Sequence, residues 1–331
     1  MSAHRTAVIS GATSERGIGI DVARRYAREG WAVVVLDLDA EKSAKVAADI
    51  GNQYAVPAFG HAVDVTSEES VAAAHEAVAT EVAAGHLPPV GALANIAGIT
   101  SPVPFLDTTL ELWNKVMAVN ATGTYLVTKA FLPDMLDNGW GRIVNMSSVS
   151  AQRGGGVFGK VPYSSAKAAV LGFTKALARE VADSGVTVNA VTPGAVDTSI
   201  RVGSTDEQEA KLASDIPIGR VATTDEVAAV ITFLSSDDAS YLTGTTIEST
   251  AAATSTEPRS SWCRRRDRPG TALPPRRVCQ SALRIWVSQV SARRRCVGSW
   301  DAASSTARRR AALRIVLCAG VDVPGDVSIS G

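Results

Sequence analysis

The chain has 331 residues, 46% of them hydrophobic, ample for a buried core in one large domain or two smaller ones. Its 33 basic and 33 acidic side chains cancel, but unevenly: residues 1–247 carry 18 basic and 27 acidic groups, whereas residues 248–331 carry 15 arginines, no lysine and six acids. All four cysteines lie in that second stretch, so the first needs no oxidising compartment, and no apolar run reaches the roughly 18 residues of a membrane span. The opening Met1–Thr6 leads into a strand without the apolar stretch of a secretory leader, and a cytoplasmic protein with no membrane partner is expected.

Along residues 6–247, short apolar runs alternate with longer helical patterns. Strands are expected at Thr6–Ser10, Ala32–Asp37, Ala58–Val65, Ala92–Asn95, Arg142–Ser147, Thr187–Val191 and Thr245–Ile247. Several are near-continuous β-branched or leucine runs, the composition of parallel strands covered on both faces. Helices are expected at Ile18–Glu29, Glu41–Ile50, Glu68–Ala84, Leu110–Leu136, Pro162–Ala182 and Thr224–Leu234. The last begins with a hydroxyl able to cap and with acids in its first turn, Asp225 and Glu226. Strand–helix alternation predicts a doubly wound parallel sheet of the Rossmann type, a single three-layer α/β domain.

The first strand runs into a glycine-rich turn, Gly11 to Gly17-Ile18-Gly19. Glycines there let the backbone approach a pyrophosphate, and the helix amino terminus favours its negative charge. The G-x-G-x-x-G spacing is not met, because Val22 stands at the third glycine position. Asp37 ends the second strand about 20 residues on, where an acid accepts hydrogen bonds from adenosine ribose hydroxyls and repels a 2′-phosphate, which favours NAD. Arg16, beside the turn, argues for such a phosphate and keeps NADP open. The plain alternatives are a structural turn and a solvated carboxylate.

Tyr163 and Lys167 stand four residues apart, so on a helix they share one face, with Ser147-Ser148 shortly upstream. An ammonium there would favour the phenolate and lower the tyrosine pKa from its reference of about 10, giving a phenol that exchanges a proton with an alcohol. The plain alternative is an ordinary exposed helix pair. His4, His61, His75 and His86 show no metal-ligand spacing, and no metal is expected. Arg153, in a glycine-rich loop, reads as a solvated arginine rather than a contact for an anionic substrate.

Taken in order, these motifs resemble those of the short-chain dehydrogenase/reductase family, over roughly residues 5–247. The family's glycine turn is matched by Ser10-Gly11 to Gly17-Ile18-Gly19, two residues longer than usual. Its adenine-contacting Asp-Val element is matched by Asp64-Val65, and its Asn-Asn-Ala-Gly element by Asn95-Ile96-Ala97-Gly98. Asn120, Ser148, Tyr163 and Lys167 match its active-site residues, and Pro193-Gly194, with Val196 and Thr198 beyond, matches its Pro-Gly segment. The resemblance implies that Tyr163 exchanges the proton with the substrate oxygen and that Ser148 polarises the carbonyl. It also implies that Lys167 lowers the tyrosine pKa and holds the nicotinamide ribose, while Asn120 positions a water linking Lys167 to solvent. Val196 and Thr198 would fix the nicotinamide carboxamide. Ser147 competes with Ser148; Val149 after Ser148 follows the family pattern. The stretch between Ser148 and Tyr163 is about two residues long for the family, which Gly154-Gly155-Gly156 can absorb.

The expected activity is NAD-linked interconversion of a secondary alcohol and a ketone, with NADP possible. Reduction of a 3-oxoacyl thioester is the alternative within enzymes, and a non-catalytic dinucleotide sensor is the alternative outside them. The resemblance implies a homodimer or homotetramer formed through the helices at Leu110–Leu136 and Pro162–Ala182, and a lid at Thr198–Gly219. From about residue 248 the chain departs from the family. Lysine vanishes and arginine triplets appear at 264–266, 293–295 and 308–310, which is expected of an irregular, out-of-frame reading of a GC-rich gene. A basic arm for nucleic acid or anionic lipid is the rival reading, disfavoured by sparse aromatics and the lack of a binding motif.

Overall fold

The computed structural model describes residues 5–156, 159–199, 213–214 and 216–250. The expected lid is therefore described only in part, and the arginine triplets and all four cysteines lie outside the described residues.

Seven parallel strands form one sheet in the order β3-β2-β1-β4-β5-β6-β7. They are β1 Thr6–Ser10, β2 Ala32–Asp37, β3 Ala58–Ala62, β4 Val90–Asn95, β5 Gly141–Met146, β6 Val186–Pro193 and β7 Thr246–Ser249. The helices are α1 Ile18–Arg28, α2 Ala40–Tyr54, α3 Glu68–Ala83, α4 Leu110–Met117, α5 Gly123–Asp137, a single turn α6 Ser150–Arg153, α7 Val161–Glu180 and α8 Thr224–Leu234. This is the doubly wound α/β architecture that the strand–helix alternation predicts.

The period of two along each strand builds the two cores. Ala7, Ile9, Val33, Val35, Ala94 and Val144 face one side, against Val22 and Tyr26 of α1, Ala47 of α2 and Ile231 of α8. Val8, Val34, Leu36, Leu93, Ile143 and Val188 face the other, against Val71 of α3, Phe131 of α5 and Ala178 of α7. Each fully buried aliphatic side chain contributes about 1.5–3 kcal/mol. The sheet order reverses between β1 and β4, and in such sheets the crevice outside the strand ends at that point receives the ligand.

Strands β4, β5, β6 and β7 shift by one or two residues at their ends from the sequence expectation, and three larger differences have a visible cause. Strand β3 stops at Ala62 rather than Val65, because the Asp64 carboxylate accepts from the Thr66 amide and hydroxyl and folds the chain into a turn. Helix α2 continues past Ile50 to Tyr54, closing on the left-handed Ala55. The helix expected over 110–136 is continuous but carries a π-helical turn, Ala118–Thr122, between α4 and α5. Asn120 accounts for it. Its Nδ2 donates to the Val116 carbonyl four residues back, at 3.0 Å, in competition with the backbone ladder.

Candidate active site

The strand ends surround a cleft of about 870 Å³, lined from the glycine turn at one end to Tyr163, Ser148 and Lys167 at the other. That volume lies in the range of cofactor and substrate sites.

The glycine turn is shaped by close approach. Gly11 has φ +73°, and a Cβ there would sit 2.7 Å from Ala97 Cα, so the loops after β1 and β4 pass backbone to backbone. A Cβ on Gly19 would lie 2.1 Å from the Gly11 carbonyl oxygen. Gly19 thus brings the first turn of α1 against the loop, while Val22, at the third glycine position, is fully buried in the core. Gly17 caps α1 without a side-chain bond, leaving the helix-start amides turned to the cleft. Asp37 lines the same end. Its Oδ2 accepts from the Thr13 amide at 2.9 Å and the Thr13 hydroxyl at 2.8 Å, and its Oδ1 from the Leu38 amide at 2.8 Å. Three donors on one carboxylate fix its direction.

At the other end, Tyr163 rides the first turn of α7, just after Pro162, and lines the cleft beside Ser148. The Ser148 hydroxyl also accepts from the Ser150 amide at 3.2 Å. Ser147 points elsewhere: its hydroxyl donates to the Lys167 carbonyl at 2.7 Å. Of the two serines, Ser148 is the one that meets Tyr163. Lys167 is 3% exposed, and its Nζ donates to the Met146 carbonyl at 2.8 Å, 5.8 Å from the centre of the Tyr163 ring. Asn120 is held by the Ile99 and Val116 carbonyls, and its Oδ1 accepts no hydrogen bond among the described residues. A Cβ on Gly98 would lie 2.6 Å from that Oδ1 and 3.3 Å from Lys167 Nζ, so Gly98 keeps open the space both groups face.

The electrostatics correct one expectation. Burial lowers the Lys167 pKa to about 8, and no carboxylate among the described residues opposes it. Burial also pushes the Tyr163 hydroxyl above its ordinary value, only partly offset by the nearby Ser148 hydroxyl. Desolvation outweighs any pull from the ammonium, and Tyr163 is a protonated donor rather than an incipient phenolate.

Gly11, Gly17, Ile18, Gly19, Asp37, Val65, Ala97, Gly98, Pro193, Gly194, Val196 and Thr198 line the cleft together with Asn120, Ser148, Tyr163 and Lys167. Three residues expected at the cofactor do not line it. Arg16 pairs with Asp197 at 2.6 Å. Asp64 turns its carboxylate onto Thr66, which lowers its pKa. Asn95 is buried, donating to Thr128 at 2.9 Å and Asn145 at 2.8 Å. Conversely, Ser14, inside the turn, lines the cleft without being expected as a site residue, although a hydroxyl in a lengthened glycine turn is a readable signal. Ser14 Oγ lies 3.0 Å from Ser199 Oγ, a second tie between this turn and the loop after β6. His75 and His86 pair with Asp134 and Glu81.

A nicotinamide dinucleotide fits this donor set: a side-chain-free cradle at a helix start, an oriented acid at the second strand end, and an orphaned amide oxygen near the lysine.

Comparison with known proteins agrees. The family model described as enoyl-(acyl carrier protein) reductase matches residues 11–250. An uncharacterised short-chain dehydrogenase/reductase of Sinorhizobium fredii is 40% identical over 245 residues, 74% of this chain and 95% of that protein. A 3-oxoacyl-[acyl-carrier-protein] reductase of Aquifex aeolicus is 40% identical over 243 residues, 73% of this chain and 94% of that protein. The crystal structure of a variant actinorhodin polyketide ketoreductase with NADPH superposes with a TM-score of 0.70 at 34% identity, covering 76% of this chain and 99% of that one. The chain belongs to the short-chain dehydrogenase/reductase family. It is an oxidoreductase that uses a nicotinamide cofactor and acts on CH–OH or keto groups.

Proposed function

We propose that the enzyme interconverts a 3-oxoacyl compound and its 3-hydroxy counterpart, with NAD(H) as the preferred cofactor. The observation that carries the chemistry is the convergence of Ser148, Tyr163 and Lys167 on the wall of one cleft that also holds the glycine turn. A ketone oxygen received there accepts a hydrogen bond from Ser148 and the proton from Tyr163, whose raised pKa keeps it in the donor form. The cofactor, when bound, supplies the hydride. Lys167, still mostly protonated at pH 7, lies behind the phenol and favours its anion as the proton leaves. The 3-oxoacyl reading is supported by the name of the Aquifex relative and by the ketoreductase neighbour. The enoyl description of the family model names a different reaction, in which hydride addition to carbon 3 of an enoyl thioester leaves charge on the thioester oxygen, and an enoyl thioester among the test substrates distinguishes the two.

NAD is favoured by Asp37, a carboxylate where a 2′-phosphate would stand, and by Arg16, already engaged with Asp197. NADP is the second reading, on the strength of the NADPH in the ketoreductase neighbour. The test is a panel of 3-oxo esters, 3-oxoacyl thioesters and simple ketones, with nicotinamide absorbance followed in parallel with NADH and NADPH. Turnover of simple ketones alone would remove the 3-oxoacyl assignment, and a preference for NADPH would remove the NAD assignment.

Assembly through α4–α5 is supported by exposed apolar side chains on that segment: Leu110, Tyr125 and Leu136. A homodimer or homotetramer is the corresponding proposal, tested by light scattering. Among the described residues, no helix is long and apolar enough to cross a membrane. A cytoplasmic site of action is the proposal for location, supported by a catalytic region that has no cysteine and needs no oxidising compartment.

A further inference from the structure

We infer that Gly159 is a positioning residue for Tyr163: its missing side chain is the space that the phenol ring occupies. The inference rests on the proposed role of Tyr163 as proton donor. A Cβ on Gly159 would stand 2.5 Å from Tyr163 Cδ1, 3.1 Å from Cε1 and 3.3 Å from Cγ, so the ring lies directly on the Gly159 backbone. Gly154 and Gly155 both have φ +73° and satisfy a backbone need. Gly159 does not have a positive φ, so no left-handed backbone angle calls for glycine there. The contact with Tyr163 is what calls for glycine.

The backbone at 159 is also unable to retreat. Gly159 bridges to Ser101 in parallel fashion, and the Lys160 amide donates to the Ser101 carbonyl at 2.8 Å. Ser101 is buried, and two residues before it the Ile99 carbonyl is held by Asn120 Nδ2 at 2.9 Å. On the other side the Gly159 carbonyl accepts from the Gly156 amide at 2.8 Å, and the Gly155 amide donates to Ser164 Oγ at 2.9 Å. The wall behind the ring is therefore tied both to the loop that Asn120 holds and to the start of α7. A methyl group at 159 forces the ring, rather than the wall, to move by about 1 Å before ordinary carbon–carbon contact is restored. The hydroxyl rides at the far end of that ring and moves with it, out of its place in the cleft.

The test is steady-state hydride transfer by the full chain carrying Gly159→Ala, Gly159→Val or Tyr163→Phe. A 1 Å misplacement of a reacting group costs on the order of a hundredfold. Gly159→Ala should lower kcat by about 10–100-fold, and Gly159→Val should lower it further. The KM for the cofactor should stay unchanged, and the limb of the pH profile set by Tyr163 should move. A purely structural role would lower the melting temperature while leaving kcat and the pH limb of the folded enzyme at wild-type values, and that result overturns the inference. The two claims fail separately. Loss of turnover in Tyr163→Phe with wild-type kcat in Gly159→Ala removes the positioning role alone, whereas wild-type turnover in Tyr163→Phe removes the proton-donor reading itself.

Discussion

Lys167 is a cation buried without a carboxylate partner among the described residues, and its cost should be visible in the pH dependence of folding. Its pKa is about 8 in the folded chain against an ordinary 10.5, a difference that burial alone causes. At about 1.4 kcal/mol per unit the full linkage is roughly 3 kcal/mol. The group is a base whose folded-state pKa is depressed, so between pH 8 and 10.5 the unfolded chain binds more protons than the folded one. The penalty is present in full below pH 8 and relaxes as pH rises toward 10.5, so Lys167 makes the unfolding free energy increase with pH. The perturbation is Lys167→Met, which keeps the bulk and removes the titration. The assay is urea unfolding of the cofactor-free chain at pH 7, 8, 9 and 10, at one protein concentration, so that association is held constant. The lost hydrogen bond to the Met146 carbonyl adds a constant offset, but no slope. Wild-type stability should gain roughly 2–3 kcal/mol on the variant between pH 7 and pH 10. Tyr163, half-buried, and Tyr26, fully buried, have raised pKa values and work in the opposite direction above pH 10, which sets the upper limit of the series. Parallel curves for the two proteins would refute the reasoning, because they would mean that Lys167 titrates as an exposed lysine does.

Three further sets of substitutions separate the roles within the cleft. Ser148→Ala should reduce kcat about a hundredfold with cofactor affinity intact. Ser147→Ala should instead cost about 1 kcal/mol of stability, through its bond to the Lys167 carbonyl, and spare much more of the rate; equal kinetic losses in the two would contradict the assignment. Asp197→Asn releases Arg16, and the KM for NADPH should fall about tenfold while that for NADH stays put, a shift worth about 1.4 kcal/mol; an unchanged NADPH value would show that Arg16 does not reach the 2′-phosphate. Gly19→Ala drives a methyl group into the Gly11 carbonyl and should raise the cofactor dissociation constant more than about tenfold, measured by fluorescence titration; wild-type affinity would mean that the turn does not shape the site.

The fold is legible in the sequence because parallel strands buried on both faces must be apolar almost throughout, and Ala32–Leu36 is fully buried, as that composition demands. Motif order places Tyr163, Ser148 and Lys167 around one cleft for a similar reason, since helix period and strand ends fix where such residues emerge. What escapes the sequence depends on partners distant along the chain. The π turn exists because one Asn120 nitrogen finds both Ile99 and Val116, which no local propensity records. Arg16 reads as a phosphate ligand until Asp197, 181 residues away, takes its guanidinium. Asn95 sits in a matching motif, yet its side chain serves the Asn145 contact between β4 and β5. The direction of the Tyr163 shift is hidden from the sequence because burial is a tertiary property, and here it exceeds the effect of the lysine that a four-residue spacing suggests.

The central claim is that the Tyr163 phenol delivers the proton when hydride reaches a ketone. It is tested most directly by measuring nicotinamide absorbance with a 3-oxoacyl substrate in wild type and in Tyr163→Phe, alongside cofactor binding by fluorescence. The account predicts that the variant binds cofactor as wild type does but turns over at least about a hundredfold more slowly. Undiminished turnover in the Tyr163→Phe enzyme would contradict it.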